Sequence, residues 1–172
     1  MSLARLRSGF EWLLEVITML LVVSLAVVVL LGVTFRFTGN SLGWYDEVAA
    51  VMLAWVTYYG AALAALKRAH ISVPGLVYSR PPVVRVTLVL IGEAIIITFF
   101  VLLAFYGVRT IQILGGSTLV SVPIPIAVTQ STIPIGAGLY VIAELINLPT
   151  ILREAWQGRR PPSEQDIVEE LQ

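Results

Sequence analysis

The sequence predicts an all-α integral membrane protein with four transmembrane helices, and three observations support this fold class. Of the 172 residues, 58% are hydrophobic and only 13% are charged, whereas soluble domains carry about a quarter charged residues. The mean hydropathy is +0.89. The charged residues are bunched, so that long apolar runs separate them. A chain of this length has room for about four membrane crossings and short connections, and lipid requires segments whose backbone groups are satisfied internally, as in helices.

Two uninterrupted apolar runs predict the first two helices. Residues 16–35 and 48–66 contain no charged side chain, and at about 1.5 Å per residue each run reaches roughly the thickness of the hydrocarbon core. We place these helices at about residues 12–35 and 47–66. The first run is too long for a cleaved signal peptide, it lacks an A-x-A cleavage site, and Arg36 follows it as a stop. We therefore expect it to remain in the protein as a helix.

The third and fourth predicted helices each contain one acidic residue. They cover about residues 84–109, with Glu93, and about residues 128–149, with Glu144. An ionisable side chain in such a segment is costly and needs an explanation.

The distribution of basic residues predicts the orientation of the helices. Nine Lys and Arg side chains lie in the N-terminal segment, the loop 67–85 and the segment after the fourth helix, and two, Arg36 and Arg109, lie in the other connections. Because cytoplasmic loops are enriched in Lys and Arg, we expect both termini in the cytoplasm. The chain then divides into a four-helix membrane domain, residues 1–156, and an acidic cytoplasmic tail, residues 157–172.

The side chains offer little basis for catalysis. Because the chain has no cysteine and His70 is its single histidine, thiolate and multi-histidine metal sites are excluded, and we expect His70 to pack at the membrane surface. A serine nucleophile at Ser117 would lack a base on its side of the membrane. Eleven acidic and eleven basic residues cancel, which argues against nucleic-acid binding. We expect no enzyme activity, no catalytic residue, no metal and no cofactor.

Glu93 and Glu144 allow two interpretations. They could form a proton or cation site, because intramembrane acids often do. Alternatively, each acid is structural and reaches interfacial water or a partner such as Arg85 or Arg153, since both lie toward the cytoplasmic ends of their helices. The depth favours the structural interpretation, because coupling-ion sites of transporters lie near the midplane of the membrane.

The second helix carries the densest pattern of the chain. Its start, residues 41–47, combines two aromatic residues with Asp46 and Glu47, which complement the dipole of the first helical turn. Further along, small residues such as Gly60 and Ala64 recur at four-residue spacing and permit the close approach of another helix. We expect this helix to contact protein over much of its surface, either within its own bundle or in a partner subunit.

Two of the connections also allow specific predictions. Arg36 ends the first helix and Glu47 opens the second across about ten residues, a length that keeps the helix ends close. We therefore predict that Arg36 pairs with Asp46 or Glu47, at a depth fixed by Trp44. The segment 110–127 is uncharged and interrupted by prolines, and we expect it either to lie in the membrane interface or to be covered by another chain.

Together these residues resemble the Q-type small membrane subunit of TRAP transporters (tripartite ATP-independent periplasmic transporters). The similar residues occur in the same order over roughly residues 10–150. They are Arg36-Phe37, Ser41-Leu42, Trp44, Asp46-Glu47, Trp55, Gly60-Ala61-Ala62, Arg68-Ala69-His70-Ile71-Ser72-Val73 and Ile133-Pro134-Ile135-Gly136.

The resemblance implies a specific function. Such a subunit has four helices, lies in the cytoplasmic (inner) membrane of a bacterium or archaeon among phospholipids, and pairs with a large M-type membrane subunit. A periplasmic P-type binding protein delivers the substrate, typically an organic acid, and a sodium gradient drives its uptake. The small subunit is expected to act as a scaffold, with no substrate site of its own.

The resemblance also directs attention to a set of partner-interface and structural residues. They are Arg36, Ser41, Trp44, Asp46, Glu47, Trp55, Gly60, Ala61, Ala64, His70, Pro134 and Gly136. The alternative function is a self-sufficient, proton-coupled small transporter that acts as a homo-oligomer and uses Glu93 or Glu144.

Overall fold

A computed structural model describes residues 3–70 and 77–158. Its helices are α1 (Leu3–Phe37), α2 (Tyr45–Leu66), α3 (Pro82–Leu114), α4 (Ile126–Gln130) and α5 (Thr132–Gln157). Four spans are long and apolar enough to cross a membrane: α1, α2, α3, and α4 together with α5. The predicted all-α membrane fold with four spanning helices is confirmed. The orientation stays a prediction, and both the Ile71-Ser72-Val73 stretch and the tail from residue 159 onward lie outside the described residues.

The helices extend beyond the apolar runs that predicted them. α1 has 35 residues and α3 has 33, and each is therefore about 50 Å long at 1.5 Å per residue, well beyond the hydrocarbon core. α1 begins nine residues before its predicted start, and α5 ends eight residues after its predicted end. Hydropathy marks only the part of a helix that fits in lipid, whereas backbone hydrogen bonding continues through the charged ends.

The fourth span is interrupted near its start, which the sequence analysis did not predict. α4 ends at Gln130 and α5 begins at Thr132. Pro134 explains the break, because it has no N–H to donate to the carbonyl of Gln130 and its ring crowds that carbonyl. The N–H groups of Ser131 and Ile135 still donate to Ala127 and Ser131, so the two pieces remain nearly continuous.

The spanning helices form an open row. α2 packs against α1 and α5, and α5 packs against α2 and α3. The buried core lies where α2 and α5 meet, near the end of α2, and consists of Leu14, Ala62, Ala65, Leu66, Tyr140 and Ala143. The outward faces of α1 and α3 carry large exposed apolar side chains, such as Met19 and Phe99, which suits contact with lipid or with another membrane protein.

The row has two ends, which we name after residues that organise them. At the Glu47 end, α1 and α3 finish and α2 and α5 begin, and the 115–125 loop connects α3 to α4. At the Lys67 end, α2 and α5 finish and α3 begins. The charge distribution predicts that the Lys67 end faces the cytoplasm.

Candidate functional site

Glu47 ties the start of α2 to the 115–125 loop. Its Oε1 accepts a hydrogen bond from the Val120 N–H at 3.0 Å, and its Oε2 accepts one from the Ser121 N–H at 2.7 Å. These donors lie 73 and 74 residues further along the chain. Hydrogen bonds to an ionised carboxylate are stronger than neutral ones, so one side chain fixes the position of the loop against α2.

The 115–125 loop is itself ordered by hydrogen bonds between its two arms. The Leu119 N–H donates to the Ile124 carbonyl at 2.9 Å, and the Ile126 N–H donates to the Ser117 carbonyl at 2.8 Å. Thr118 lies opposite Pro125 in an antiparallel bridge. The two arms therefore form a compact turn, and Glu47 binds the backbone at its tip.

The predicted pairing of Arg36 with Asp46 or Glu47 is wrong. The ion pairs formed by the described residues are all at the Lys67 end, and Arg36, Asp46 and Ser41 are exposed. The physical reason lies in the loop, because its backbone N–H groups occupy the Glu47 carboxylate. A prediction based on neighbouring helix ends alone omits these donors.

The contact between α1 and α2 at the Glu47 end depends on a glycine. A Cβ atom at Gly32 would overlap the ring of Tyr45, so the absence of a side chain lets this ring pack directly on α1. Trp44 precedes α2 and is 38% exposed, which suits an aromatic residue at a membrane interface. It caps α2 with its backbone carbonyl, which accepts the Val48 N–H at 3.2 Å.

Two of the predicted structural residues lie where α5 meets its neighbours. A Cβ atom at Gly136 would overlap the Cβ of Tyr58, so α2 and α5 approach closely there. On the other side of α5, the Pro134 Cδ lies 3.0 Å from the position a Cβ would take at Gly107 of α3. Gly136 and Pro134 thus bring α5 into close contact with both neighbours.

The small residues of α2 divide between an inner and an outer face. Ala62 and Ala65 are buried in the core, and Ala61 packs against it. Gly60 faces open space, because a Cβ placed there would meet nothing within 4 Å, and Ala64 follows it one turn later. Among the aromatic residues of this helix, the ring of Trp55 lies 5.6 Å from that of Tyr59.

A buried amide caps the end of α2. Asn147 of α5 is 1% exposed, and its Nδ2 donates to the carbonyls of Ala65 and Leu66 at 2.9 and 3.0 Å. Arg7 of α1 also donates to the Leu66 carbonyl, at 3.3 Å. The last carbonyls of a helix lack partners within the helix, so these side chains satisfy them and join α1, α2 and α5.

Ion pairs extend this cap at the Lys67 end. The Lys67 ammonium donates to the carboxylate of Glu15 and lies 3.7 Å from Glu11. The hydrogen bond with Glu15 is the main cause that raises the pKa of Lys67 above its ordinary value. The next residue, Arg68, pairs with Glu154 of α5 at 2.7 Å. The residues that follow α2 are thus bound to α1 on one side and to α5 on the other.

Arg85 serves a different purpose from the predicted one. The sequence analysis named it as a partner for an intramembrane acid. In the structure its Nη1 donates to the Ala155 carbonyl at 3.0 Å and its Nη2 donates to the Arg80 carbonyl at 2.9 Å. Its guanidinium lies 5.4 Å from the centre of the Tyr78 ring. A cation complements the negative end of a helix dipole, and Arg85 caps α5 in this way. Arg153 is exposed.

Glu93 of α3 and Glu144 of α5 lie within electrostatic range of each other. Glu144 is 7% exposed, and Tyr140 lies one helical turn before it in α5. The Glu93 Oε2 is buried and makes no hydrogen bond to the part of the chain that the structure describes. At the Lys67 end, the His70 ring packs against the Tyr140 ring, with 5.6 Å between the ring centres. Arg68 acts electrostatically on both acids.

Sequence reasoning missed Asn147, Tyr140 and the backbone of the 115–125 loop. A single Asn in an apolar helix belongs to no sequence motif that would identify its partner. Burying its amide in lipid is unfavourable, however, and this indicates that it needs a hydrogen-bonding partner. Within residues 3–70 and 77–158, no group of three or more His, Cys, Asp and Glu side chains could hold a metal ion.

The chain matches a known family over residues 25–154, and the family's description is "Tripartite ATP-independent periplasmic transporters, DctQ component". The match includes Glu47, the 115–125 loop and Asn147. No curated protein matches the chain. A family match over most of the chain, together with four helices able to span a membrane, makes this a multi-pass membrane protein and a component of a tripartite transporter. The chain belongs to the DctQ family, the small component of the TRAP transporters.

Proposed function

We propose that this chain is the scaffold subunit of a TRAP transporter that imports an organic acid with a sodium gradient. It pairs with the large M-type subunit in the cytoplasmic membrane of a bacterium or archaeon, and a P-type binding protein delivers the substrate from the periplasm. Substrate and sodium bind to the other chains, and the small subunit holds the immobile part of the large one.

The observation that carries the proposal is the use of polar side chains to tie helices together. Asn147 binds the end of α2, Arg85 the end of α5, and Glu47 the 115–125 loop. Hydrogen bonds are electrostatically stronger in a low-dielectric, water-poor region than in water, so these contacts hold the helices and the loop in fixed positions. The open row also leaves broad apolar faces on α1 and α3, which suit a permanent membrane partner.

Reconstitution tests this proposal. The isolated chain in liposomes should move no organic acid under a sodium gradient, and the complete complex with loaded binding protein should support uptake. A matched preparation that omits only this chain measures its contribution. Uptake by the isolated chain would overturn the scaffold proposal.

The proposed orientation places the Glu47 end in the periplasm, and the lack of cysteine makes it directly testable. A cysteine at Gly39 should react with an impermeant maleimide added outside whole cells, and a cysteine at Ser79 should react only after permeabilisation. The opposite pattern would reverse the orientation.

One observation favours the alternative function, a proton-coupled transporter that acts as a homo-oligomer. The Glu93 Oε2 is buried without a hydrogen bond to the described residues, within electrostatic range of Glu144. Acids in the membrane segments of other proteins relay protons. The scaffold proposal expects Glu93→Gln to retain uptake by the full complex. Loss of uptake with normal assembly would favour the alternative.

A further inference from the structure

Asn147 has one polar atom that the capping of α2 does not use. Its Nδ2 donates to the carbonyls of Ala65 and Leu66, and these two acceptors fix the orientation of the amide, because its oxygen cannot donate. The Oδ1 is buried and accepts no hydrogen bond from the part of the chain that the structure describes. A buried acceptor without a donor is unfavourable, so the structure requires a donor for this oxygen.

Glu93 faces Asn147 across the contact between α3 and α5. The rings of Phe100 and Tyr140 stack between these helices, with 3.8 Å between the ring centres. Glu93 lies seven residues before Phe100, and Asn147 lies seven residues after Tyr140. The two helices run in opposite directions, and seven residues are close to two full turns. Both side chains therefore project from the same faces as the stacked rings and at the same level.

A second contact confirms this register on the other side. Arg85 lies eight residues before Glu93, and Ala155 lies eight residues after Asn147. The Arg85 Nη1 donates to the Ala155 carbonyl at 3.0 Å, so α3 and α5 keep one register from the stacked rings to this hydrogen bond. Both side chains also lie near the end of α2, because Asn147 binds its last carbonyls and Arg68, which follows α2, acts electrostatically on Glu93.

The groups around Glu93 do not compensate a negative charge on its carboxyl. The titratable and charged side chains near it are Glu144, Tyr140, His70 and Arg68. The Arg68 guanidinium pairs with Glu154 at 2.7 Å, and Glu144 adds a second acid. The Glu93 Oε2 is buried and has no hydrogen-bonding partner among the described residues. An ionised Glu93 would be a poorly compensated charge in a water-poor region, whereas a protonated Glu93 is neutral and has an O–H donor.

We propose that Glu93 carries a proton in the folded protein and donates a hydrogen bond through it to the Oδ1 of Asn147. The proton comes from water when the chain folds. The hydrogen bond joins α3 to the amide that already caps α2, so that one side chain of α5 holds both neighbouring helices. This inference does not depend on the proposed function. It also differs from the proton-coupled alternative, in which the proton has to leave Glu93 during transport.

Infrared spectroscopy of the purified chain in lipid at neutral pH tests the proposal. A protonated carboxyl has a C=O band that is separate from the bands of a carboxylate, and the difference spectrum between wild type and Glu93→Gln should contain it. Glu144→Gln is the matched control and should keep this band. Asn147→Leu, which removes the acceptor, should shift it. Carboxylate bands in place of the C=O band would overturn the proposal, as would its loss in Glu144→Gln, and an unshifted band in Asn147→Leu would refute the hydrogen bond to Asn147.

The pH dependence of unfolding in SDS is an independent measurement. Unfolding exposes Glu93 to water, where a glutamate is ionised at neutral pH, so the wild type should release a proton that Glu93→Gln does not have. The free energy of unfolding should therefore fall more steeply with rising pH near neutrality in the wild type than in Glu93→Gln. Asp46→Asn, at an exposed acid, should keep the slope of the wild type. Equal slopes for wild type and Glu93→Gln would overturn the proposal and would leave the scaffold function standing.

Discussion

Replacing Asn147 by leucine should destabilise the helix row, because it removes the amide that caps α2. The substitution keeps a similar volume but deletes the donors to the carbonyls of Ala65 and Leu66. Interhelical hydrogen bonds in membrane proteins contribute about 0.6 kcal/mol on average and about 1.7 at most. Both carbonyls keep one other donor, from the Arg68 N–H and the Arg7 guanidinium. We therefore expect a loss of about 1–2 kcal/mol for the two bonds together.

Reversible unfolding in mixed micelles with increasing SDS measures this loss. Leu145→Ala is the matched control, since Leu145 lies on the same helix but is 51% exposed, and its effect should stay within about 0.5 kcal/mol. If Asn147→Leu unfolds like the wild type, or if the control is equally destabilised, the cap does not stabilise the row and the reasoning fails.

Three further substitutions test separate contacts. Gly136→Ala should lower the free energy of unfolding in SDS by about 1–3 kcal/mol, because its Cβ would overlap Tyr58. Gly138→Ala is the control and should leave this free energy nearly unchanged, because its Cβ would meet nothing within 4 Å. Equal effects of the two substitutions would refute the close approach. Glu47→Gln should speed amide hydrogen exchange at Val120 and Ser121, and unchanged exchange would mean that Glu47 does not hold the loop. The pKa of Lys67 is raised in the folded chain. Its ion pair with α1 should therefore stabilise the fold at a pH below the ordinary pKa of lysine, and this stabilisation should be lost as the pH rises through the raised pKa. Lys67→Met should therefore make the free energy of unfolding less dependent on pH in the alkaline range. An unchanged pH dependence would contradict a stabilising ion pair.

The four helices were predictable because lipid imposes a simple rule on the sequence. Apolar runs long enough to cross the membrane stand between bunched charges, and the structure has a helix at each. The helix ends were not predictable from the same rule. Glu11 lies inside α1 although it is charged and precedes the predicted start at about residue 12, and its partner Lys67 is distant in sequence.

The partners of the polar side chains were not predictable from their sequence neighbours. Glu47 was recognised as important, but its partner was assigned to Arg36 across the short connection. The true partners are main-chain N–H groups of the 115–125 loop. Every residue except proline carries such a donor, so the sequence does not show which of them will bind a distant carboxylate. Asn147 was missed for a related reason, since its role depends on the carbonyls at the end of another helix.

Gly136 shows the opposite case. The resemblance singled it out without a reason, and the structure supplies one in the close approach of Tyr58. Gly60 came from the same pattern, yet it faces open space within this chain. A small residue in a membrane helix therefore indicates a close contact, but the sequence alone does not say whether the contact is internal.

The claim that this chain is a rigid scaffold is tested most directly by locking its helices together in the working transporter. Cysteines replace Arg68 and Glu154, whose side chains meet at 2.7 Å between the ends of α2 and α5, and a bifunctional thiol reagent of about the combined length of both side chains joins them. The chain has no cysteine of its own, so the bridge is unambiguous, and the unbridged double variant serves as the control. The scaffold account predicts that bridged and unbridged complexes take up substrate at the same rate. Uptake that stops on bridging would show that this chain rearranges during transport, and would contradict the account.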